Sequence, residues 1–229
     1  MSREVNPLAF ERHPAAALLS GTSAQPLTRP AQTTCCSPAD SIARLCAALD
    51  AACAASSGSA DPSCEARFAR SVRIALAEAA ADPQLLTPAQ RASAPQKYQR
   101  HLLAADPRGR YAIASLVWQP GQASPVHAHH TWCGYAVLEG TLSEAIYDWN
   151  EAQDCAIQDR TQPRTAGAVS FTRAGRDCIH QLGNASDALA ISLHVYGVPE
   201  AQFATHVNDI VHCADSGASV LVARTTNPA

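Results

Sequence analysis

The chain has 229 residues and a formal net charge of −3, with 17 Lys and Arg against 20 Asp and Glu and no long run of one sign. That balance argues against nucleic acid or an anionic membrane as partner. An apolar fraction of 47% is ample for a buried core, yet no apolar run approaches the ~18 residues of a membrane span.

The N-terminal stretch MSREVNPLAFERHPAAALLSG is broken by charged residues before any apolar core, unlike a secretory leader. Residues 1–38, rich in Ser, Thr, Pro and Ala without periodicity, read as extended or disordered. One domain is expected over 39–229, with a helical cap at about 39–95 and a β-barrel at about 96–225. In the cap, ADSIARLCAALDAACAAS predicts a helix with Asp40 or Ser41 as N-cap and Ile42, Leu45, Leu49 and Cys53 at helical intervals. SSGSADPS ends it. EARFARSVRIALAEAAADP predicts a second helix with Phe68, Val72, Ile74 and Leu76 apolar, ending at Asp82 and Pro83. LTPAQRAS predicts a short third helix, capped by Thr87 with Pro88 at its first position.

After Pro95 the pattern changes. KYQRHLLAA, YAIASLVWQP, CGYAVLEG, LSEAIYDWN, AGAVSFTRAG and ALAISLHVYG are short aromatic or β-branched runs punctuated by Pro, Gly, Asn or Asp. Such a succession predicts a sandwich or barrel, with VLVAR as a further strand near the C-terminus. The nine cysteines are odd in number, scattered and free of any CxxC pair. A disulfide framework or zinc knuckle is therefore a poor fit, and a reducing cytoplasm a better one.

The stretch GQASPVHAHHTWCGYAVLEG holds three histidines and a cysteine. On a strand, residues i and i+2 share a face, so His127 and His129 can point at one ion. His130 then points away, toward solvent or packing. A lone histidine on an apolar strand is more often a packed core residue, but an HxH pair with a distant partner is a better metal candidate. That partner lies in GAVSFTRAGRDCIHQLGN, where His180 follows Gly167 and Gly175 and precedes Asn184.

Together these segments resemble the paired motifs of the cupin superfamily, G-x5-H-x-H-x3-4-E-x6-G and G-x5-P-x-G-x2-H-x3-N. The first matches in spacing from Gly121 to Gly140, with Cys133 where glutamate is usual. The second departs: Arg173 replaces the proline and two extra residues precede His180. The resemblance implies a mainly β cupin-type barrel, a double-stranded β-helix, with His180 as third ligand beside His127 and His129. Three neutral imidazoles leave a divalent ion its full charge, suiting iron, zinc or copper and attracting a thiolate.

A three-histidine cupin with cysteine in the glutamate slot resembles the thiol dioxygenases, above all the cysteine dioxygenase type I family. SLHVYG places Ser192, His194 and Tyr196 at alternate positions, similar to the family's Ser-His-Tyr relay. KYQRHLL places Tyr98 and Arg100 on one face, similar to a Tyr-x-Arg whose guanidinium holds the substrate carboxylate. The resemblance implies one Fe(II) per subunit on His127, His129 and His180. It also implies a small thiol that binds through sulfur and amine, and O2 as co-substrate. Both oxygen atoms would end on sulfur as a sulfinate, with Tyr196 donating a hydrogen bond, His194 orienting it and Ser192 fixing His194. In mammalian-type members the equivalent of Cys133 forms a thioether to the tyrosine, here Tyr196. The interval from His129 to Cys133 is one residue shorter here, and a small buried hydrophobe is the alternative for Cys133.

Arg100, and the absence of arginine from VPEAQFATHVND, favour L-cysteine over 3-mercaptopropionate, with mercaptosuccinate also open. A non-enzymatic small-molecule-binding cupin and a zinc-dependent isomerase are the rival classes. The expected assembly is a monomer or small homo-oligomer in the cytoplasm. Trp118, Trp132 and Trp149 read as barrel packing, and Cys35 and Cys36 as incidental exposed thiols. Cys155 and Cys178 lack ligand spacing, although Cys178 sits two positions before His180. Arg164, Arg173 and Arg176 read as loop and surface charges, with help for a second substrate carboxylate as the alternative for one of them.

Overall fold

The computed structural model describes residues 37–213; the N-terminal tract with Cys35 and Cys36, and the expected VLVAR strand, lie outside the described residues. Helix α1 (Pro38–Ala55) starts earlier than the sequence suggests. Ser37 is its N-cap, accepting from the Asp40 amide at 3.2 Å, while the Asp40 carboxylate accepts from the Ser37 amide at 3.0 Å. Asp40 is thus the far end of a capping box and Pro38 occupies the first turn. Helix α2 (Ala66–Ala80) buries Phe68, Val72, Ala75, Leu76 and Ala79, one stripe at three- and four-residue steps. Ile74 falls off that stripe and is 47% exposed, contrary to expectation. The third helix is only a 3-10 turn, Ala89–Arg91. Thr87 does cap it, its hydroxyl accepting from the Gln90 amide.

Ten strands follow: β1 (Gln99–Ala105), β2 (Ala112–Trp118), β3 (His127–His129), β4 (Cys133–Glu139), β5 (Thr141–Asn150), β6 (Cys155–Thr165), β7 (Val169–Thr172), β8 (Gly175–Gly183), β9 (Ala190–Tyr196) and β10 (Asn208–Ile210). They form two five-stranded antiparallel sheets, ordered β1-β2-β9-β4-β7 and β10-β3-β8-β5-β6. This is the double-stranded β-helix of a cupin barrel. Strand β6 escapes the hydrophobic pattern because it lies at the edge of the described sheet, where polar residues and Pro163 are tolerated.

The two sheets differ in what covers them. Helices α1 and α2 lie on the outer face of the first sheet, where Ile113, Val117, Ala136, Ile191, Leu193 and Val195 join Leu49, Phe68, Val72 and Leu76 in the largest apolar cluster. A Cβ on Gly134 would lie 2.8 Å from Leu76 Cδ1 and 3.2 Å from Val72 Cγ1, so glycine lets α2 approach β4. A second cluster, with Leu116, Trp118, Tyr135, Val137, Leu142 and Leu182, fills one end of the space between the sheets. Strands β2 and β9 are buried on both faces, which explains their nearly unbroken apolar sequences. Among the described residues no helix is long and apolar enough to cross a membrane.

Candidate metal centre

His127 and His129 on β3 and His180 on β8 converge between the sheets. One candidate ligand atom from each lies within 4.8 Å of the others, and all three residues are buried. The register accounts for it: His127 and His180 are direct cross-strand partners, and alternation turns His129 to the same side. Ala128 and Ile179 face outward instead, in a separate cluster. His130 is exposed, the bystander the alternation predicts.

The donor set fits a metal ion. His127 Nδ1 lies 2.9 Å from the Pro125 carbonyl and His180 Nδ1 lies 2.9 Å from Glu144 Oε1. Both contacts require a donor on Nδ1, leaving each Nε2 as a free lone pair. His129 Nδ1 is buried with no hydrogen-bond partner among the described residues. Burial and the neighbouring His180 push His127 down to about 3, against the raising influence of the Pro125 carbonyl. Burial and the adjacent histidines also hold His129 well below the ordinary range. Neutral, desolvated imidazoles are ligands in waiting.

The opposite wall of the site belongs to the first sheet. Cys133, His194 and Tyr196 line the same cavity as the histidines, with Tyr98, Leu116, Trp118, Ser124, Leu182 and Asn208 completing it. Ser192 Oγ lies 2.8 Å from His194 Nε2 and accepts from Trp118 Nε1 at 3.0 Å. The Ser192 hydroxyl thus bridges the Trp118 indole and the His194 imidazole. Trp118 therefore does more than pack the barrel. Its other contact is with Tyr98, the rings stacked at 4.3 Å. His194 and Tyr196 meet as stacked rings 5.7 Å apart, with no hydrogen bond between them. The expected relay is joined at its Ser192–His194 step and only stacked at the next.

Cys133 and Tyr196 are direct cross-strand partners of β4 and β9. Burial raises the Cys133 thiol, and burial with the nearby thiol raises the Tyr196 hydroxyl, so both keep their protons at neutral pH. Arg100 is the cross-strand partner of Leu116 and is absent from the cavity lining. Its guanidinium lies over the rings of Phe203 at 4.2 Å and Tyr196 at 5.8 Å. Nη2 donates to the Phe203 carbonyl at 2.9 Å, while Nε is buried without a partner among the described residues.

Glu144 and Gln162, which the sequence did not single out, complete the surroundings together with Arg164. Glu144 on β5 is 4% exposed and accepts from His180. Gln162 Nε2 donates to its other oxygen at 2.9 Å, and Arg164 Nε lies 3.6 Å from that oxygen. Burial works to raise the Glu144 carboxyl, but the hydrogen bonds from His180 and Gln162 and the Arg164 charge outweigh it and hold it at about 2. Arg164 is therefore not a surface charge: it sits 5.5 Å from the Tyr135 ring, which stacks on His194 at 5.4 Å. Arg173 and Arg176 are exposed, the former paired with Asp177 and the latter 3.9 Å over Trp149. Cys155 and Cys178 are free thiols outside the histidine cluster.

Residues 89–207 match the family model described as cysteine dioxygenase type I. The chain belongs to that family. Solved structures of similar fold include a protein of Thermus thermophilus, 22% identical over 49% of this chain and 96% of its own, with a TM-score of 0.39. A Cupin 2 conserved barrel domain protein of Salinispora arenicola is 21% identical over 48% of this chain and 86% of its own, with a TM-score of 0.37. An uncharacterized protein of Klebsiella pneumoniae with a double-stranded β-helix domain is 14% identical over 52% of this chain and 88% of its own, with a TM-score of 0.40. Family membership and the buried histidine cluster point to the same chemistry, a thiol dioxygenase with a metal site.

Proposed function

We propose that the protein oxidises L-cysteine with O2 to cysteine sulfinic acid at an Fe(II) held by His127, His129 and His180. The observation that carries this reading is the buried three-histidine cluster inside the family-matched segment, with Cys133 and Tyr196 lining the same cavity. Iron would supply the electron exchange with O2 that a thiol alone undergoes slowly. The reaction balances as one thiolate and one O2 giving one sulfinate: sulfur loses four electrons, O2 gains four, and both oxygens end on sulfur.

The chain's own residues orient and protect. Tyr196 lines the cavity and is kept protonated by burial, so its hydroxyl would have a proton to donate to a bound ligand. His194, locked by Ser192 and flanked by Tyr135 and Tyr196, keeps that wall rigid. The apolar rim of Leu116, Trp118 and Leu182 limits water around the reacting sulfur. Arg100 has a buried Nε with no partner among the described residues, a donor that a substrate carboxylate would satisfy. Cross-strand pairing brings Cys133 beside Tyr196, consistent with a thioether whose formation would remove two hydrogens from the chain and pass their electrons to O2.

A second reading rests on Arg100 lying outside the cavity lining. If Arg100 is structural, a thiol carboxylate anchored otherwise, 3-mercaptopropionate or mercaptosuccinate, becomes the substrate. Oxygen uptake by the iron-loaded protein with each of the three thiols separates these cases. The expected result is fastest turnover with L-cysteine and a KM for it raised about tenfold or more by Arg100→Ala. An unchanged KM would remove Arg100 from the substrate site, and no uptake with any thiol would overturn the dioxygenase reading.

A further inference from the structure

The cupin motif, with cysteine at position 133, leaves the site without a carboxylate. The fold supplies one from the next strand. Strand β5 pairs with β8 so that Ile146 faces His180 and Glu144 faces Leu182. Glu144 is then the diagonal neighbour of His180 on the inner face, and its Oε1 meets His180 Nδ1 at 2.9 Å. On its other side β5 pairs with the edge strand β6, where Gln162 is the direct partner of Glu144 and Arg164 that of Leu142. Gln162 and Arg164 are half-buried in a largely exposed strand, and both are aimed at Oε2. A carboxylate buried to this degree is costly unless each oxygen is satisfied. Here one oxygen is held by the two β6 residues and the other is presented to a histidine.

We propose that Glu144 is a positioning residue for the metal centre, fixing His180 with its proton on Nδ1 and its Nε2 toward the ion. It thereby supplies, one imidazole away, the negative charge that the three-histidine set lacks. The proposal rests on the reading of His127, His129 and His180 as metal ligands. An ionised carboxylate only accepts, so the imidazole must donate to it. The same contact makes the Nε2 lone pair more basic and stops the ring from turning. Gln162 and Arg164 act on Glu144 in turn, which gives a reason for two inward polar residues on an otherwise solvent-facing edge.

Two measurements decide it. In the wild-type protein loaded with Zn(II) and labelled with 15N-histidine, long-range 1H–15N spectra are expected to show His180 protonated at Nδ1 and metal-shifted at Nε2. A proton at Nε2 would overturn the proposal, and this spectrum needs no variant to fold. In chelator competition with Co(II), Glu144→Gln keeps an acceptor for His180 but removes the charge. It is expected to bind Co(II) about 10- to 100-fold more weakly, with the visible bands of the bound ion shifted in energy, and Glu144→Ala is expected to lose more. Wild-type affinity and an unshifted spectrum in Glu144→Gln would overturn the role of the charge while leaving the three-histidine site standing. If the wild-type protein itself bound neither Co(II) nor Zn(II), the metal reading would fail first.

Discussion

Strands β8 and β9 both run past the centre, yet they meet different surroundings. Strand β9 is buried from end to end: Ile191, Leu193 and Val195 face the helices while Ser192, His194 and Tyr196 face inward, the last two lining the cavity. Strand β8 starts exposed and becomes buried only as it reaches His180. The candidate ligands all come from the second sheet, whose outer face carries only a small apolar cluster. The Ser-His-Tyr face, Cys133 and Arg100 all come from the sheet that α1 and α2 cover. A division of labour follows: the helix-backed sheet gives a stiff wall for positioning a small molecule, and the second sheet grips the ion through polar neighbours.

The largest expected effect lies on the ligand side. His129 has no partner on Nδ1 among the described residues, so His129→Ala should leave the fold intact. Bound iron and thiol-dependent oxygen uptake should nevertheless fall below detection. Retained iron at wild-type stoichiometry would remove His129 from the ligand set. On the helix-backed side, Leu193→Ala is expected to lower unfolding free energy by about 3 kcal/mol, because Leu193 is fully buried under the cap. Iron content per folded molecule should stay unchanged. Loss of metal in the folded variant would erase the proposed division between the sheets.

A smaller effect is expected where the cap is fastened. Asp106 accepts from the Arg110 amide at 3.0 Å and from its guanidinium, and Arg110 also pairs with Asp50 on α1. The Arg110 hydrogen bond holds the Asp106 carboxyl at about 2, below its ordinary value, despite the raising effect of burial. A carboxyl depressed in the folded state stabilises above its unfolded pKa, and that contribution is lost as pH falls from about 4 toward 2. Asp106→Asn should therefore be less stable than wild type by about 2 kcal/mol at pH 7. Urea unfolding at pH 7 and pH 3 should show the gap shrinking at the lower pH, whereas a constant gap would exclude the charge as its source. The smallest effect is expected for Ser192→Ala. It should lower stability by about 1 kcal/mol, since it strips Trp118 Nε1 of its acceptor and His194 Nε2 of its partner. Its signature would be a changed His194 tautomer in 15N spectra, and an unchanged one would show that Ser192 does not set it.

Local periodicity made half of this architecture legible. The two-residue repeat placed His127 with His129 and Ser192 with His194 and Tyr196, because alternation belongs to a single strand. The helical stripe of α2 was legible too, except at Ile74, an apolar residue on the solvent side. What the sequence hid depends on register between strands. Glu144 reads as one charge in an ordinary strand until β5 is laid beside β8, and Arg164 reads as a loop charge until β6 is laid beside β5. The inward alternation of Leu142 and Glu144 was the only available signal, and a buried strand position for a glutamate could have flagged it. Trp118 was hidden in the same way, its partner Ser192 being 74 residues away.

The central claim, that the histidine cluster directs O2 onto a thiol sulfur, is tested most directly with isotopic oxygen. The iron-loaded protein is given L-cysteine under 18O2, and the product mass is compared with the oxygen consumed. One O2 per cysteine, with two 18O atoms in the sulfinate, is the predicted result. Disulfide and hydrogen peroxide in place of sulfinate, or a sulfinate carrying oxygen from water, would contradict the account.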